Sequence, residues 1–523
     1  MKKLLVCLSA AVALHAFAAW QKVATLQVAD VNSLVQGVNK LGELTGNMML
    51  GTMASTALTE LPGSELFGPG RDKTPMTFCL FLDEEKLEKV LADKAKAGLD
   101  SPLSYALLYP VRQGKADFVK SHEGCKETDG VLRVVEDEEV DEDEDATFVA
   151  FSKDGKWASM SDKAAQAKLG LEDVRIAERP MKGDLLKLAV TPKGVAVVRQ
   201  LIEKCQAELA KQEKDGDVAD AMLGVDYAMD VLKGMSALIG GLAIDDTGVV
   251  VHASIGTVEG SELAKCGLKS LEADPLAFAP KSALAAVASA ADCGQRTFDL
   301  EALLKVLAKH GIKTDSFLKI EESQPGNKSV LTIDVPAAVA YGKSFDTKTF
   351  KLDEKAFQKD LCALFKPSTF TAANPPVSSA IAIKGYVSPV SASERLAATL
   401  PEAAQKKPFT VQVFSLYSMV KALLPVLLAE LDADEREGLE PLVKSLPPEG
   451  KGGIAIAGWR AKDKLNSLMR VSADELKLLS AGVSAFSAYQ MQAAMKEAKK
   501  SQKQKKPREQ KKSQAKKPAA KAE

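Results

Sequence analysis

The stretch Leu242-Ala243-Ile244-Asp245-Asp246-Thr247-Gly248-Val249, continuing to Ile255, combines two apolar runs with a turn of acidic residues, threonine and glycine. Strands commonly flank such a turn, because Asp and Gly adopt backbone conformations that other residues disfavour. The stretch therefore predicts a β-hairpin. A second hairpin is predicted where Asp154-Gly155 separates residues 148–151 from residues 157–160.

A short strand followed by an amphipathic helix recurs on both sides of these hairpins. Residues 22–28 predict a strand, and residues 31–44 predict a helix because their apolar side chains recur at helical spacing. Further strand and helix pairs are predicted at 76–82 and 83–97, 184–190 and 195–209, 380–386 and 391–400, and 409–414 and 415–431. Residues 282–289 fit either a strand or a buried helix. The fold class is α+β, with an antiparallel or mixed sheet packed against amphipathic helices.

Two regions of the chain resemble each other. Gly240-Gly241-Leu242-Ala243-Ile244 corresponds to Gly452-Gly453-Ile454-Ala455-Ile456, and residues 185–190 correspond to residues 409–414, each followed by a helix. This predicts a diverged internal duplication. Residues 19–278 and 279–495 would then form two pseudo-repeated α+β halves.

The N-terminus has the pattern of a secretory signal peptide. Lys2 and Lys3 precede an uncharged apolar run from Leu4 to Phe17, and Ala16-Phe17-Ala18 is an A-x-A cleavage site. Residues 1–18 are therefore predicted to be removed on export, which places the protein in the periplasm or outside a bacterial cell. No other apolar stretch reaches the ~18–20 residues of a membrane span.

Charge is divided unevenly between the body and the C-terminus. Residues 496–523 hold 12 Lys/Arg and 3 Glu, a net charge of +9, whereas residues 19–495 hold 55 Lys/Arg and 67 Asp/Glu, a net charge of −12. The segment Lys496–Glu523 lacks apolar periodicity and is predicted to be a disordered Lys-rich tail. In an exported protein its partners would be anionic envelope surfaces or polymers. It has no interleaved aromatic residues, so nucleic acid is not an expected partner.

Cysteines and histidines do not form a recognisable site. The six cysteines of the mature chain could form up to three disulfides, with 15 possible pairings, and no C-x-x-C motif occurs. The alternative is that these cysteines are small, buried, unpaired residues. These cysteines are Cys79, Cys125, Cys205, Cys266, Cys293 and Cys362. The mature chain has three histidines, His122, His252 and His310, and none lies in H-E-x-x-H. His252, in the predicted strand 249–255, is interpreted as a structural histidine. No cofactor is predicted.

Two weak candidate sites remain. Ser418-Met419-Val420-Lys421 matches S-x-x-K, in which a serine nucleophile is activated by a lysine, but neither S-x-N nor K-T-G follows it. The acidic run Glu136–Asp145 has nine carboxylates in ten positions, which hard cations such as Ca²⁺ prefer. Its candidate ligands are Glu136, Asp137, Asp141, Asp143 and Asp145. The run has no turn glycine and no alternating ligand spacing, so a solvated hairpin tip is favoured.

The first hairpin also carries a resemblance to a known class of proteins. Gly241-Leu242-Ala243-Ile244-Asp245-Asp246, then Gly248-Val249-Val250-Val251 and later Ser261-Glu262-Leu263-Ala264-Lys265, resemble a pattern in exported bacterial proteins of unknown function. These proteins have repeated strand and helix modules. The resemblance implies no activity and no functional residue.

Three functions are consistent with these patterns. The favoured one is a non-enzymatic exported scaffold or binding protein whose tail associates with anionic envelope surfaces. The second is a carrier whose strand and helix layers hold a lipid or another apolar ligand. The third, disfavoured, is a serine hydrolase built on Ser418 and Lys421.

Overall fold

The computed structural model describes most of the chain between residues 20 and 482. Its described residues are 20–47, 49, 75–83, 85–87, 102–111, 114–121, 125–134, 146–177, 181, 183–211, 225–290, 300–323, 328–345, 350–364, 377–431, 436, 443 and 446–482. The predicted signal peptide, the acidic run Glu136–Asp145 and the tail Lys496–Glu523 lie outside them.

Seventeen strands form the sheet within these residues. They are β1 Trp20–Val28, β2 Met76–Asp83, β3 Leu103–Pro110, β4 Lys126–Thr128, β5 Val131–Val134, β6 Thr147–Phe151, β7 Trp157–Ser161, β8 Asp184–Val190, β9 Met235–Asp245, β10 Gly248–Thr257, β11 Ala283–Ser289, β12 Leu318–Ser323, β13 Lys328–Ile333, β14 Val377–Ile383, β15 Thr410–Phe414, β16 Ile454–Ala461 and β17 Lys464–Ser472.

Helices connect many of these strands. They are α1 Val31–Thr45, α2 Gly114–Ser121, α3 Ala164–Gly170, α4 Val174–Ala177, α5 Pro192–Lys211, α6 Val225–Gly234, α7 Glu262–Lys265, α8 Leu300–Lys309, α9 Val335–Ser344, α10 Glu354–Leu364, α11 Ala392–Thr399, α12 Glu402–Gln405, α13 Leu416–Glu430 and α14, residues 473–482. The α+β fold class is confirmed.

The sheet is continuous from one edge to the other. Its order is β4-β5-β6-β7-β3-β2-β1-β8-β9-β10-β17-β16-β15-β11-β14-β13-β12. Only β13 and β14 pair in parallel among these strands. A parallel pair requires a crossover connection, and here α9 and α10 lie in that connection.

Strands β1–β10 form one block of the sheet and β11–β17 form the other. The blocks meet where β10 and β17 pair in antiparallel register, from Gly248 opposite Ser472 to Gly256 opposite Lys464. In each block the first strand has one neighbour on one side and three antiparallel strands in sequence on the other. The two orders are β2-β1-β8-β9-β10 and β14-β11-β15-β16-β17. The glycine pairs are placed differently, since Gly240 and Gly241 lie inside β9 whereas Gly452 and Gly453 precede β16. The duplication stays a prediction, and strand order is the feature that the blocks share.

Most of the predicted elements that fall on described residues are present. Both hairpins are confirmed, and residues 283–289 form a strand rather than a helix. The predicted strand at 380–386 lies three residues earlier, because Lys384 and Gly385 form a turn in which Gly385 has a φ of +80°. The predicted helix at 83–97 lies largely outside the described residues.

Helices cover one face of the sheet in both blocks. In the β11–β17 block, Leu396 and Leu400, in and just after α11, pack against alanines and valines of β11, β14, β15 and β16. In the β1–β10 block, Leu169 of α3 packs against Cys79 and Phe81. We call this side of the sheet the covered face, and the opposite side, which helices cover only in part, the open face. On the open face Val197 of α5 packs in a cluster with Leu82, which lies opposite Leu103.

Candidate functional site

The open face carries a contiguous group of exposed apolar side chains. Seven of them lie on β1, β2, β3, β8 and β10, and each exposes between 37% and 49% of its area. We call this group the exposed apolar strip; it consists of Leu26, Leu80, Leu103, Tyr105, Leu186, Leu188 and Val251.

Strand register places these side chains on the same face. Residues directly opposite each other on neighbouring strands point to the same side of a sheet. Leu26 is opposite Leu188, and Leu80 is opposite Tyr105. Leu186 is opposite Leu242, which in turn is opposite Val251. From β3 to β10 the strip crosses five strand spacings, or roughly 24 Å.

The covered face of the same strands has the opposite chemistry. Its side chains are nearly all buried, yet most are polar or small: Thr25, Gln27, Thr77, Cys79, Ser104 and Ala106. Gln27 Nε2 donates to the backbone oxygen of Ile176 in α4 at 3.0 Å. An ordinary half-buried strand hides its apolar side and exposes its polar side. Here large apolar side chains on the opposite side stay partly exposed, although Leu82 and Leu107 on that side are buried.

Small clusters bound the strip. Beside Leu103, Leu82 is buried in a cluster with Val197 of α5. At the β3 end, Phe118 of α2 packs over the open face against Leu107 and Met160. At the far end of β10, Leu263 of α7 packs with Ile255 and Leu465. The strip is the apolar surface that these three clusters leave exposed.

A buried ion pair lies in the β11–β17 block. Arg395 of α11 is 3% exposed, and its Nη2 lies 3.0 Å from Glu449 Oε1. The hydroxyls of Ser388 and Ser418 donate to the same oxygen, both at 2.9 Å. Arg395 Nη1 donates to the backbone oxygen of Gly452 at 2.6 Å. The network satisfies both charges with protein groups, so it has the character of a structural anchor.

The serine of the S-x-x-K match, Ser418, belongs to this buried network. Ser418 is fully buried in the first turn of α13, with its hydroxyl directed at Glu449. Lys421 is exposed, and its Nζ lies 5.6 Å from the ring centre of Tyr417. The contacts of the two side chains are therefore separate, and the geometry gives Ser418 no solvent-facing position from which to attack a substrate.

Glu475 of α14 is a second buried carboxylate in this region. It is 1% exposed, and burial raises its pKa from 4.5 to about 6. Ser415, Arg395 and the backbone N–H groups of Tyr417 and Leu416 partly oppose this shift. Neither carboxylate oxygen has a hydrogen-bond partner of normal geometry.

Glu475→Gln is expected to stabilise the protein at neutral pH. A raised carboxyl pKa contributes stability that is fully present below pH 4.5 and is lost as pH rises through about 6. Above that range the wild type holds a buried charge that costs up to about 2 kcal/mol. Urea unfolding should therefore show the variant more stable by roughly 1–2 kcal/mol at pH 7.5, with little difference at pH 4. Glu259→Gln, at an exposed turn position, is the control and should change neither value. Equal stability of wild type and Glu475→Gln at both pH values would contradict this account.

The two described histidines each pair with an aspartate. His252 Nε2 lies 2.8 Å from Asp184 Oδ1 on the covered face. Gly241 lies between these strands, where a Cβ would come within 2.3 Å of His252 Nε2. His310 Nε2 lies 2.7 Å from Asp360 Oδ2, and hydrogen bonds from Lys309 and His310 lower the pKa of Asp360. Both pairs bridge separate elements, as structural histidines do.

Cys79 and Cys266 are buried and Cys125 is half-buried. Cys79 Sγ donates to Asp173 Oδ2 at 3.0 Å, and Asp173 also pairs with Lys22. Burial, followed by the Asp173 charge, raises the pKa of the Cys79 thiol, which makes it unreactive. Cys125 is also a free thiol. Cys266 Sγ lies 3.5 Å from the backbone oxygen of Glu262.

Neither a metal site nor a membrane helix is found in the described part of the chain. No cluster of three metal-ligating side chains occurs there. No helix there has both the length and the apolar character that crossing a bilayer requires. The candidate ligands of the acidic run lie outside the described residues.

The sequence patterns did not single out the exposed apolar strip. In β1 the alternation of Leu26 with Thr25 and Gln27 is visible in the sequence, but it fixes only which residues share a face. The structure shows that the apolar side is the exposed one. The sequence did contain one relevant signal, the Thr, Gln, Cys and Ser residues that alternate with the apolar residues of these strands. Such residues are equally typical of a solvated surface, so they did not predict a buried face.

Comparisons with known proteins add little. No family model and no curated protein matches the chain. The chain is similar to a solved structure described as "Structure of crystal form I of TP0453", at 8% sequence identity and a TM-score of 0.21. The similarity covers 46% of this chain and 77% of the other. A TM-score of this size supports no argument about the fold or the function.

Proposed function

We propose that the protein is a non-enzymatic, exported binding protein that carries an apolar chain, such as that of a lipid, on the exposed apolar strip. The observation that carries this proposal is the inversion of burial across β1, β2 and β3. Large apolar side chains are exposed on one face while polar and small side chains are buried on the other. Such an arrangement costs stability in the free protein and is relieved when an apolar ligand covers the open face.

The size of the strip suits a lipid chain. Covering its seven side chains removes on the order of 500 Å² of apolar surface from water, worth about 12 kcal/mol before costs. Loss of ligand freedom takes at least about 4 kcal/mol of this. The remainder is at most about 8 kcal/mol, which corresponds to a Kd in the micromolar range or weaker. The strip is roughly 24 Å long, which exceeds the ~15 Å that one leaflet of a bilayer core spans.

The geometry supports a carrier better than a hydrolase. The serine of S-x-x-K is buried against Glu449, so it gives the hydrolase no nucleophile that a substrate reaches. A scaffold would also present an apolar face, but its occupant would be another protein. The experiment below separates these two occupants.

Replacing apolar side chains of the strip with serine is expected to lower the amount of lipid bound to the protein. We expect solvent extraction and mass spectrometry of the wild type to yield bound lipid, and Leu186→Ser with Leu188→Ser to lower the amount at least fivefold. Both leucines are exposed on β8, so these changes should leave folding intact. Leu268→Ser with Val387→Ser is the matched control, because these two side chains are exposed away from the strip.

Two results would contradict the carrier proposal. One is wild-type protein that contains no lipid and binds no apolar dye. The other is a wild type that is dimeric in light scattering and becomes monomeric in the β8 double variant with its lipid content unchanged, since that result assigns the strip to a second protein molecule.

The Lys-rich tail supplies the second part of the proposal. With a net charge of +9, residues 496–523 would hold the carrier at an anionic surface, at ~1 kcal/mol per basic residue near it. Vesicles with anionic lipid should bind the full chain at low salt and release it at high salt. Deleting residues 496–523 should abolish this binding while bound lipid stays. Salt-independent binding, or binding by the truncated protein, would refute the tail's role.

A further inference from the structure

The open face changes chemistry from one block of the sheet to the other. A single row of opposed residues runs from β8 to β13 across the junction of the blocks. Its first five members are apolar: Leu186, Leu242, Val251, Met469 and Ile456. It then continues through Gln412, Val287, Ser379 and Ser329. We call these nine residues the central row.

The polar end of the central row is rich in hydrogen-bonding groups and lacks cations. The Gln412 amide both donates and accepts. Ser379 and Ser329 have their hydroxyl oxygens 3.1 Å apart, and all three side chains are half-buried. No member of the row is Lys or Arg. The residue opposite Ser329 on the edge strand is Glu322, which brings a negative charge to that end of the row.

We propose that the ligand is an amphiphile with an uncharged, hydroxyl-bearing head, and that this head lies at Gln412, Ser379 and Ser329. This inference rests on the proposed carrier function and adds the chemistry and direction of its ligand. The chain lies along the apolar members of the row and the neighbouring strip. From Leu186 to Gln412 the row crosses five strand spacings, roughly 24 Å, which accommodates an extended acyl chain.

Charge complementarity selects the uncharged head. A carboxylate or phosphate leaving water needs a paired cation or several donors, and the row provides no cation. Hydroxyl groups need donors and acceptors at once, which an amide and two serine hydroxyls supply. Arg460 of β16 lies on the same face as Ile456 by strand alternation, and its Nη1 donates to the backbone oxygen of Cys266 at 2.8 Å. The Arg460 guanidinium is therefore already hydrogen-bonded to the backbone at the edge of the face.

The test compares two ligands that differ by one phosphate. Oleoylglycerol and oleoylglycerol phosphate compete against an apolar fluorescent dye for the wild type. We expect oleoylglycerol to bind at least tenfold more tightly. Gln412→Leu with Ser379→Ala should reduce this preference to less than threefold while the affinity for the dye stays unchanged, which also shows that the variant is folded.

Gln412→Lys is the second variant, because it places a cation where the head is proposed to lie. Its preference should reverse in favour of oleoylglycerol phosphate. If the wild type binds both ligands equally, or prefers the phosphate, the assigned head is wrong while the carrier function stands. If the wild type binds neither ligand nor the dye, the carrier function itself fails. A preference that is unchanged in both Gln412 variants also overturns the assignment.

Discussion

Arg395→Met is expected to lower the free energy of unfolding by about 3–5 kcal/mol. The methionine keeps much of the apolar volume but removes the charge, and Glu449 is then left as a buried carboxylate without its ion-pair partner. The backbone oxygen of Gly452 also loses its donor. The measurement is urea unfolding at pH 7.5 followed by circular dichroism.

Two controls separate the loss of charge pairing from the loss of an arginine. Arg199→Met removes an exposed arginine paired with Glu203, so it should change stability by less than about 0.5 kcal/mol. Arg395→Met combined with Glu449→Gln leaves no buried charge and should recover part of the loss. A cost below about 1 kcal/mol for Arg395→Met alone would show that the buried pair does not anchor this block.

Gly248→Ala is expected to cost about 3 kcal/mol or more, because it strains the backbone and overpacks the junction of the two blocks. Gly248 has a φ of +154°, and a Cβ there would lie 2.0 Å from the backbone oxygen of Val471. A backbone atom on a paired strand cannot move aside as a flexible side chain does. The β10–β17 pairing should therefore open at this end.

Amide hydrogen exchange locates the effect of Gly248→Ala. Exchange should rise most in residues 248–251 and 469–472, which are paired in the register of β10 and β17. Gly342→Ala is the matched control, because a Cβ at this position in α9 meets nothing within 4 Å and Ala favours helix. Unchanged exchange in β10 and β17 of Gly248→Ala would contradict the close packing described for the junction.

Sequence patterns predicted many helices and strands because contacts between residues close in the chain determine where these elements begin and end. The turn Asp245-Asp246-Thr247-Gly248 closes β9 onto β10, and Asp245 Oδ1 accepts from the N–H of Thr247 at 2.8 Å. Ser391 and Glu394 form a capping box at the start of α11. Such signals act over a few residues, so they are visible in one sequence.

Contacts between residues far apart in the chain could not be predicted from sequence patterns. The parallel pairing of β13 with β14 depends on a crossover of more than forty residues, in which α9 and α10 were not predicted. Glu449 and Ser388 are 61 positions apart in the chain yet share a hydrogen bond. Which face of β1 is exposed depends on where α3 and α4 pack, and no alternation within β1 encodes that choice.

Labelling with a photoactivatable acyl chain tests the central claim most directly. Light should attach the probe to peptides that contain Leu26, Leu80, Tyr105, Leu186 and Leu188, which are five of the seven members of the exposed apolar strip. Excess oleoylglycerol should suppress this labelling. Labelling confined to peptides outside these strands, or labelling that the competing lipid does not reduce, would show that the open face of the sheet is not where an apolar chain binds.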